Sequence, residues 1–132
     1  MDDPELKDAV ARETFGKLLS FNHFSLQAPV LILVILEKPS LTIRIAGVIK
    51  KRKFNLIDIG IAAEHLCLQA VEEGLGTCIL GWFNEAGVKK LLKIPSHRRV
   101  ELIITMGYPD ESVKKGPKKR KEMDIIRSYN HY

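Results

Sequence analysis

The chain is poor in the residues that build covalent or metal-bound frameworks. Its 132 residues include two cysteines, Cys67 and Cys78. Two are too few for a disulfide scaffold and wrongly spaced for a metal knuckle. They read as reduced, buried thiols, because a free cysteine behaves as a small hydrophobe. Aromatic residues make up only 7% of the chain, with a single tryptophan. The basic tail has no aromatic before Tyr129, which argues against a stacking platform for single-stranded nucleic acid. The sequence holds no glycine-rich phosphate loop, no HExxH pair and no serine or cysteine nucleophile motif. Its longest apolar run, residues 28–36, is nine residues and too short to cross a bilayer. The first residues include Asp2, Asp3 and Glu5, unlike a signal or transit peptide. The expectation is a cytoplasmic protein with no metal and no membrane partner.

What the chain does have is an ordinary globular balance, 45% hydrophobic and 28% charged, at a length that fits one domain. Its charge is uneven. Residues 114–121, KKGPKKRK, hold six cations and no acid, more than the whole net charge of +5, so the rest of the chain stands at −1. A second cluster, Lys50, Lys51, Arg52 and Lys53, is offset by acids elsewhere. A body-wide basic face, the footprint of a nucleic-acid binder, is not indicated. The reading is one domain over residues 1–132, with residues 110–132 as a basic C-terminal arm. Ile125, Ile126, Tyr129 and Tyr132 give that arm apolar groups to bury.

Along the chain, Asp3 and Pro4 predict a helix start. Apolar residues then recur at helical spacing through about Leu19. Residues 21–27 read as a loop or one helical turn. PVLILVILE, residues 29–37, is apolar on both faces and suits a central strand covered on both sides. Residues 41–53 read as helix or irregular structure. A long helix starts at Asn55. Its polar residues Asp58, His65, Gln69 and Glu72 form a narrow stripe, so the rest of its circumference must be buried in a core or against a partner chain. Gly74 stops it as a left-handed cap. A short strand over residues 77–80 follows, then a helix capped by Asn84 and ended by Pro95. Residues 100–106 form another strand before the turn Gly107-Tyr108-Pro109-Asp110. His65, Glu64, Trp82 and Phe83 read as packing or interface residues.

The most informative stretch is DIGIAAEHLCLQAVEEGLGTCILG, residues 58–81. It joins a long apolar helix, a glycine stop and a strand ending in a second glycine. Such an arrangement delivers bare backbone N–H groups to the end of a buried element, where a flat polar ligand could dock. With the AP-plus-apolar strand at residues 28–35, GLGTCILGWF, VKKLLKIP at residues 88–95 and VELIITMGYP at residues 100–109, it resembles the FMN-dependent nitroreductase family, and in particular its short bacterial and archaeal members. The resemblance covers roughly residues 2–125.

That resemblance implies an α+β fold: a three-layer α/β/α sandwich with a mainly antiparallel sheet, here N-terminally truncated. It implies a homodimer, with the long helix at the interface, the C-terminal arm crossing the partner and FMN in a groove between subunits. It implies an oxidoreductase in which NAD(P)H reduces the flavin and a nitroaromatic, quinone or similar small-molecule acceptor takes the electrons. The flavin would carry the chemistry, so no side chain is assigned a catalytic role. The segment Ile79, Leu80 and Gly81 would face the flavin ring, with the Leu80 and Gly81 amides as donors near N5 and O4. Lys118 and Arg120 would hold the FMN phosphate. About 50 residues that precede the matching part in family members have no counterpart here; they normally supply an arginine-rich first helix and a segment contacting the ring. Two other readings stay open: a dimeric remnant of the fold that has lost flavin and catalysis, and a module binding nucleic acid or another polyanion through the basic tail.

Overall fold

The computed structural model describes residues 1–16, 21–113 and 116–131. Its elements run α1 (Pro4–Arg12), a short 3-10 turn (His23–Leu26), β1 (Val30–Leu36), α2 (Leu41–Lys50), α3 (Phe54–Glu72), β2 (Gly76–Leu80), α4 (Glu85–Leu91), β3 (Arg99–Gly107) and α5 (Met123–Ile126). Asp3 caps α1 by accepting from the Leu6 N–H, with Pro4 in the first turn. The helix ends at Arg12, short of the expected Leu19. There the Thr14 hydroxyl bonds back to the Ala11 carbonyl, and Phe15 stacks on His23 instead of extending the helical stripe. Leu18 and Leu19 lie outside the described residues.

The sheet has three strands in the order β1-β3-β2, both pairs antiparallel. Leu33 faces Ile103 on one side of β3, and Leu80 faces it on the other. A bulge between Val34 and Ile35 leaves Glu101 unpaired on β3. The central strand is therefore β3, and β1 lies at an edge, which corrects the expectation for residues 29–37. Continuous apolarity reports burial of both faces and is silent about neighbours in the plane. The Met1 amine and carbonyl both bond to Leu31 on the outer side of β1.

One face of the sheet carries α1 and α4. Val10, Ala11, Leu31, Leu80, Val88, Val100 and Ile103 form the core there. The other face carries α3, which packs on β1 and β2 through Ala63 and Ala70. Ile104, fully buried, alternates with Ile103 and so points to that side. Helices on both faces make the α/β/α sandwich expected from the sequence.

Much of α3 has no cover. Leu56, Ile57, Ile61, Leu68 and Val71 are 42% to 67% exposed. By length and composition α3 is also long and apolar enough to cross a membrane; here one side of it lies on the sheet. None of the residues of α2 is buried, and Leu41, Val48 and Ile49 stand in solvent. The described tail from residue 116 to 131 is exposed throughout, and Ile125, Ile126 and Tyr129 stand largely in solvent. Tyr132 falls outside the described residues.

Candidate functional site

The segment joining α3 to α4 through β2 builds the site. At the end of α3, Gly74 takes φ 73°, the left-handed conformation that glycine adopts without a steric penalty. Its N–H bonds to the Val71 carbonyl, and the Leu75 N–H bonds to Ala70. Both bonds satisfy end carbonyls of the helix in a Schellman motif. This closure turns the chain directly into β2. Because β2 is an edge strand, backbone groups on its outer side have no strand partner among the described residues.

Ile79, Leu80 and Gly81 lie together at the end of β2. Leu80 is buried in the core, whereas Ile79 and Gly81 are exposed. A Cβ built on Gly81 would meet nothing within 4 Å, and its φ lies outside the left-handed region. Among the described residues, neither backbone conformation nor packing therefore requires glycine at position 81.

The chain beyond Gly81 is tied down firmly. The side-chain amide of Asn22 donates to the Thr14 carbonyl and to the Trp82 carbonyl, both at 3.1 Å. The Asn84 N–H donates to the Glu13 carbonyl at 2.7 Å. The Asn84 side chain donates to the Glu13 carboxylate at 2.7 Å, and its Oδ1 accepts from the Gly87 N–H, capping α4. A cleft of about 310 Å³ opens here, lined by residues 13–16 and 82–84. Trp82 is 65% exposed and forms part of its wall.

Lys118 and Arg120 stand in the exposed tail, with Lys119 and Lys121. Among the described residues no hydrogen bond or ion pair within the chain links them to residues 79–81. The cysteines depart from expectation: Cys67 is half-buried and Cys78 exposed. Partial desolvation, with Cys67 adding to it, pushes the Cys78 thiol up, the opposite of the shift that activates a cysteine nucleophile. His65 is exposed, with Nδ1 2.8 Å from the Ile61 carbonyl. Among the described residues no group of three His, Cys, Asp or Glu side chains could hold a metal ion. Asn22 and Glu13 are the site-shaping residues that sequence reasoning missed. Their partners are mostly backbone groups distant in the chain, which no local pattern records.

The α/β/α sandwich, with helices on both faces of an antiparallel sheet, is a fold this chain shares with solved nitroreductases. A nitroreductase family protein from Clostridium novyi NT is 31% identical with a TM-score of 0.63, over 82% of this chain and 58% of that one. An FMN-dependent nitroreductase from Clostridium difficile R20291 is 27% identical with a TM-score of 0.73, over all of this chain and 73% of that one. The iodotyrosine deiodinase of Thermotoga neapolitana is 29% identical over 109 residues, 83% of this chain. This chain spans half the length of that relative. The profile of the Nitroreductase family matches residues 3–108, and the chain belongs to that family.

Proposed function

We propose that this chain is part of an FMN-dependent oxidoreductase that takes electrons from NAD(P)H and passes them to a nitroaromatic, quinone or similar acceptor. The observation that carries this reading is Gly81: a glycine that nothing among the described residues requires, exposed at the end of an edge strand, with open space where its side chain would be. A flat ring lying against the backbone would need that space. The residues present fit FMN in two respects. The Gly81 amide, on the outer side of β2, is the donor proposed for the ring edge, while the register turns the Leu80 N–H towards Ile103; Lys118 and Arg120 are exposed cations suited to a phosphate. When bound, the flavin would supply the electron transfer itself. The chain's contribution is to present a fixed N–H dipole where negative charge builds up on the reduced ring. The uncovered apolar side of α3 and the exposed arm support a homodimer, with the groove for the cofactor shared between two copies. A cytoplasmic location and a small-molecule acceptor belong to the same proposal.

Gly81→Ala tests it with two opposed readouts. An alanine adopts ordinary φ values without strain, so the folded protein should keep its stability or gain about 0.4–1 kcal/mol. The new methyl would stand in the cofactor's place, and FMN affinity, followed by quenching of flavin fluorescence, should fall at least tenfold. Unchanged FMN affinity in a stable variant would contradict the reading. A wild-type chain that quenches no FMN would favour a non-catalytic remnant, or binding of a polyanion by the tail.

A further inference from the structure

Resting on that functional reading, we infer that Asn22 is a positioning residue that holds the amide edge of Gly81 in place, through the carbonyl of Trp82. Asn22 is 6% exposed. Its one NH₂ group serves two carbonyl acceptors, Thr14 and Trp82, that lie far apart in the chain. The orientation of this amide follows from chemistry: turned over, its oxygen would face two carbonyl oxygens. Both hydrogens of the NH₂ are thereby used, and no other side chain in the described residues bonds to Trp82 O.

Asn22 is itself held. The Ser25 N–H donates to its carbonyl at 3.0 Å. Beneath it Thr14 and Ser25 share a hydroxyl contact of 2.8 Å, and both hydroxyls reach the Ala11 carbonyl. Thr14 and Ser25 are 1% and 0% exposed, so this is a buried, satisfied polar network at the end of α1. Such networks rigidify what they hold, because a partly satisfied one is costly. What they hold here is a strand end that would otherwise be loose: Gly81 is exposed with no contact at its Cβ position, and the Trp82 side chain stands in solvent. Glycine has the widest conformational freedom of any residue. The peptide that carries the Gly81 N–H is held on its Leu80 side by pairing with Ile103; on the other side the chain is free until its next anchors. Asn22 supplies the first of these at the Trp82 carbonyl, and Glu13 a second at Asn84. Preorganised donors stabilise developing charge because they need not reorient during the reaction.

The test compares Asn22→Ala with Val100→Ala, in the full chain. Val100 is buried in the core at the start of β3, outside this polar network, so its truncation reports general destabilisation. In flavin-free protein, backbone ¹⁵N order parameters of Gly81 and Trp82 should be about 0.85 in wild type and Val100→Ala, and fall below about 0.6 in Asn22→Ala. FMN affinity should fall at least tenfold in Asn22→Ala and stay within about twofold in Val100→Ala. If Asn22→Ala does not fold, Asn22→Asp keeps the shape while replacing the donor by a carboxylate facing two carbonyls, and the same losses are expected. Equal effects of the Asn22 and Val100 substitutions, or order parameters at Gly81 that do not change, would overturn the inference. A wild-type chain without FMN affinity would defeat the functional reading alone and leave the order parameters to decide this one.

Discussion

Lys118 and Arg120 differ from Gly81 in what they offer a ligand: charge on long, solvated side chains, in place of a fixed backbone edge. Both are exposed and neither is committed to a carboxylate among the described residues. Arg120 presents a planar fork suited to two phosphate oxygens, and Lys118 a point charge. A hydrogen bond to a charged partner contributes about 1.5–3 kcal/mol, and solvent exposure puts these near the lower end. Arg120→Ala and Lys118→Ala should therefore each weaken FMN binding about tenfold. Riboflavin, which lacks the phosphate, serves as the internal control: its affinity should not change in either variant. Equal losses for the two ligands, measured by fluorescence quenching, would remove the phosphate assignment. Gly81→Ala has the opposite signature, since a methyl against the ring penalises both flavins alike.

At the scale of elements, one carboxylate at the start of α4 ties that helix to β3. Glu85 Oε1 accepts from the Val100 N–H at 3.0 Å and from Arg99 Nε at 3.2 Å, and it pairs with Lys89 at 2.7 Å. The bond from Lys89 is the main cause holding its pKa below the ordinary value, with Val100 and Arg99 adding to it against some desolvation. A depressed folded pKa means that this tie stabilises fully above the ordinary glutamate value, about 4.3, and is lost as pH falls through the lower folded value. Glu85→Gln should then cost about 1 kcal/mol at pH 7, and urea unfolding should show the gap between variant and wild type narrowing below about pH 4.3. A gap independent of pH would show that the carboxylate charge is not what ties α4 to β3. The end of α3, the start of α4 and the end of β3 are legible in the sequence because each carries local chemistry: the Gly74 stop, the Asn84 cap and the Gly107-Tyr108-Pro109 turn. The end of α1 is not, because the bond from Thr14 to Ala11 and the stacking of Phe15 on His23 compete with a helical period that continues on paper. The edge position of β1 is not legible either. A run such as VLILVIL records what covers its faces, whereas its neighbour in the sheet is fixed by register with β3, whose paired residues lie 63 to 76 positions further along the chain. Within the site, Gly81 could be singled out from sequence, but Asn22 could not, since its partners are main-chain carbonyls.

For the molecule as a whole, the apolar side of α3 sets the strongest constraint. The sequence requires that side to be covered, and within one chain it is not: Leu56, Ile57, Ile61, Leu68 and Val71 all face solvent beside the buried Ala63 and Ala70. A contiguous exposed apolar face of this kind marks an association surface. A second copy of α3 is the proposed cover, because a helix face apolar along most of its length is self-complementary about a twofold axis. Leu68→Glu separates this from a free surface. In an isolated chain position 68 is 59% exposed, so a carboxylate there should leave the fold and its unfolding midpoint nearly unchanged. Between two chains it would bury two unpaired charges at the twofold, each costing several kcal/mol. Sedimentation should then show wild type at twice 14.9 kDa and the variant at 14.9 kDa. If the cofactor groove needs both copies, FMN quenching should be lost in the same variant at concentrations where it is a folded monomer. A variant that stays dimeric would move the interface off α3. A monomeric variant that still binds FMN would place the whole cofactor site within one chain, and the exposed arm would then need some other role.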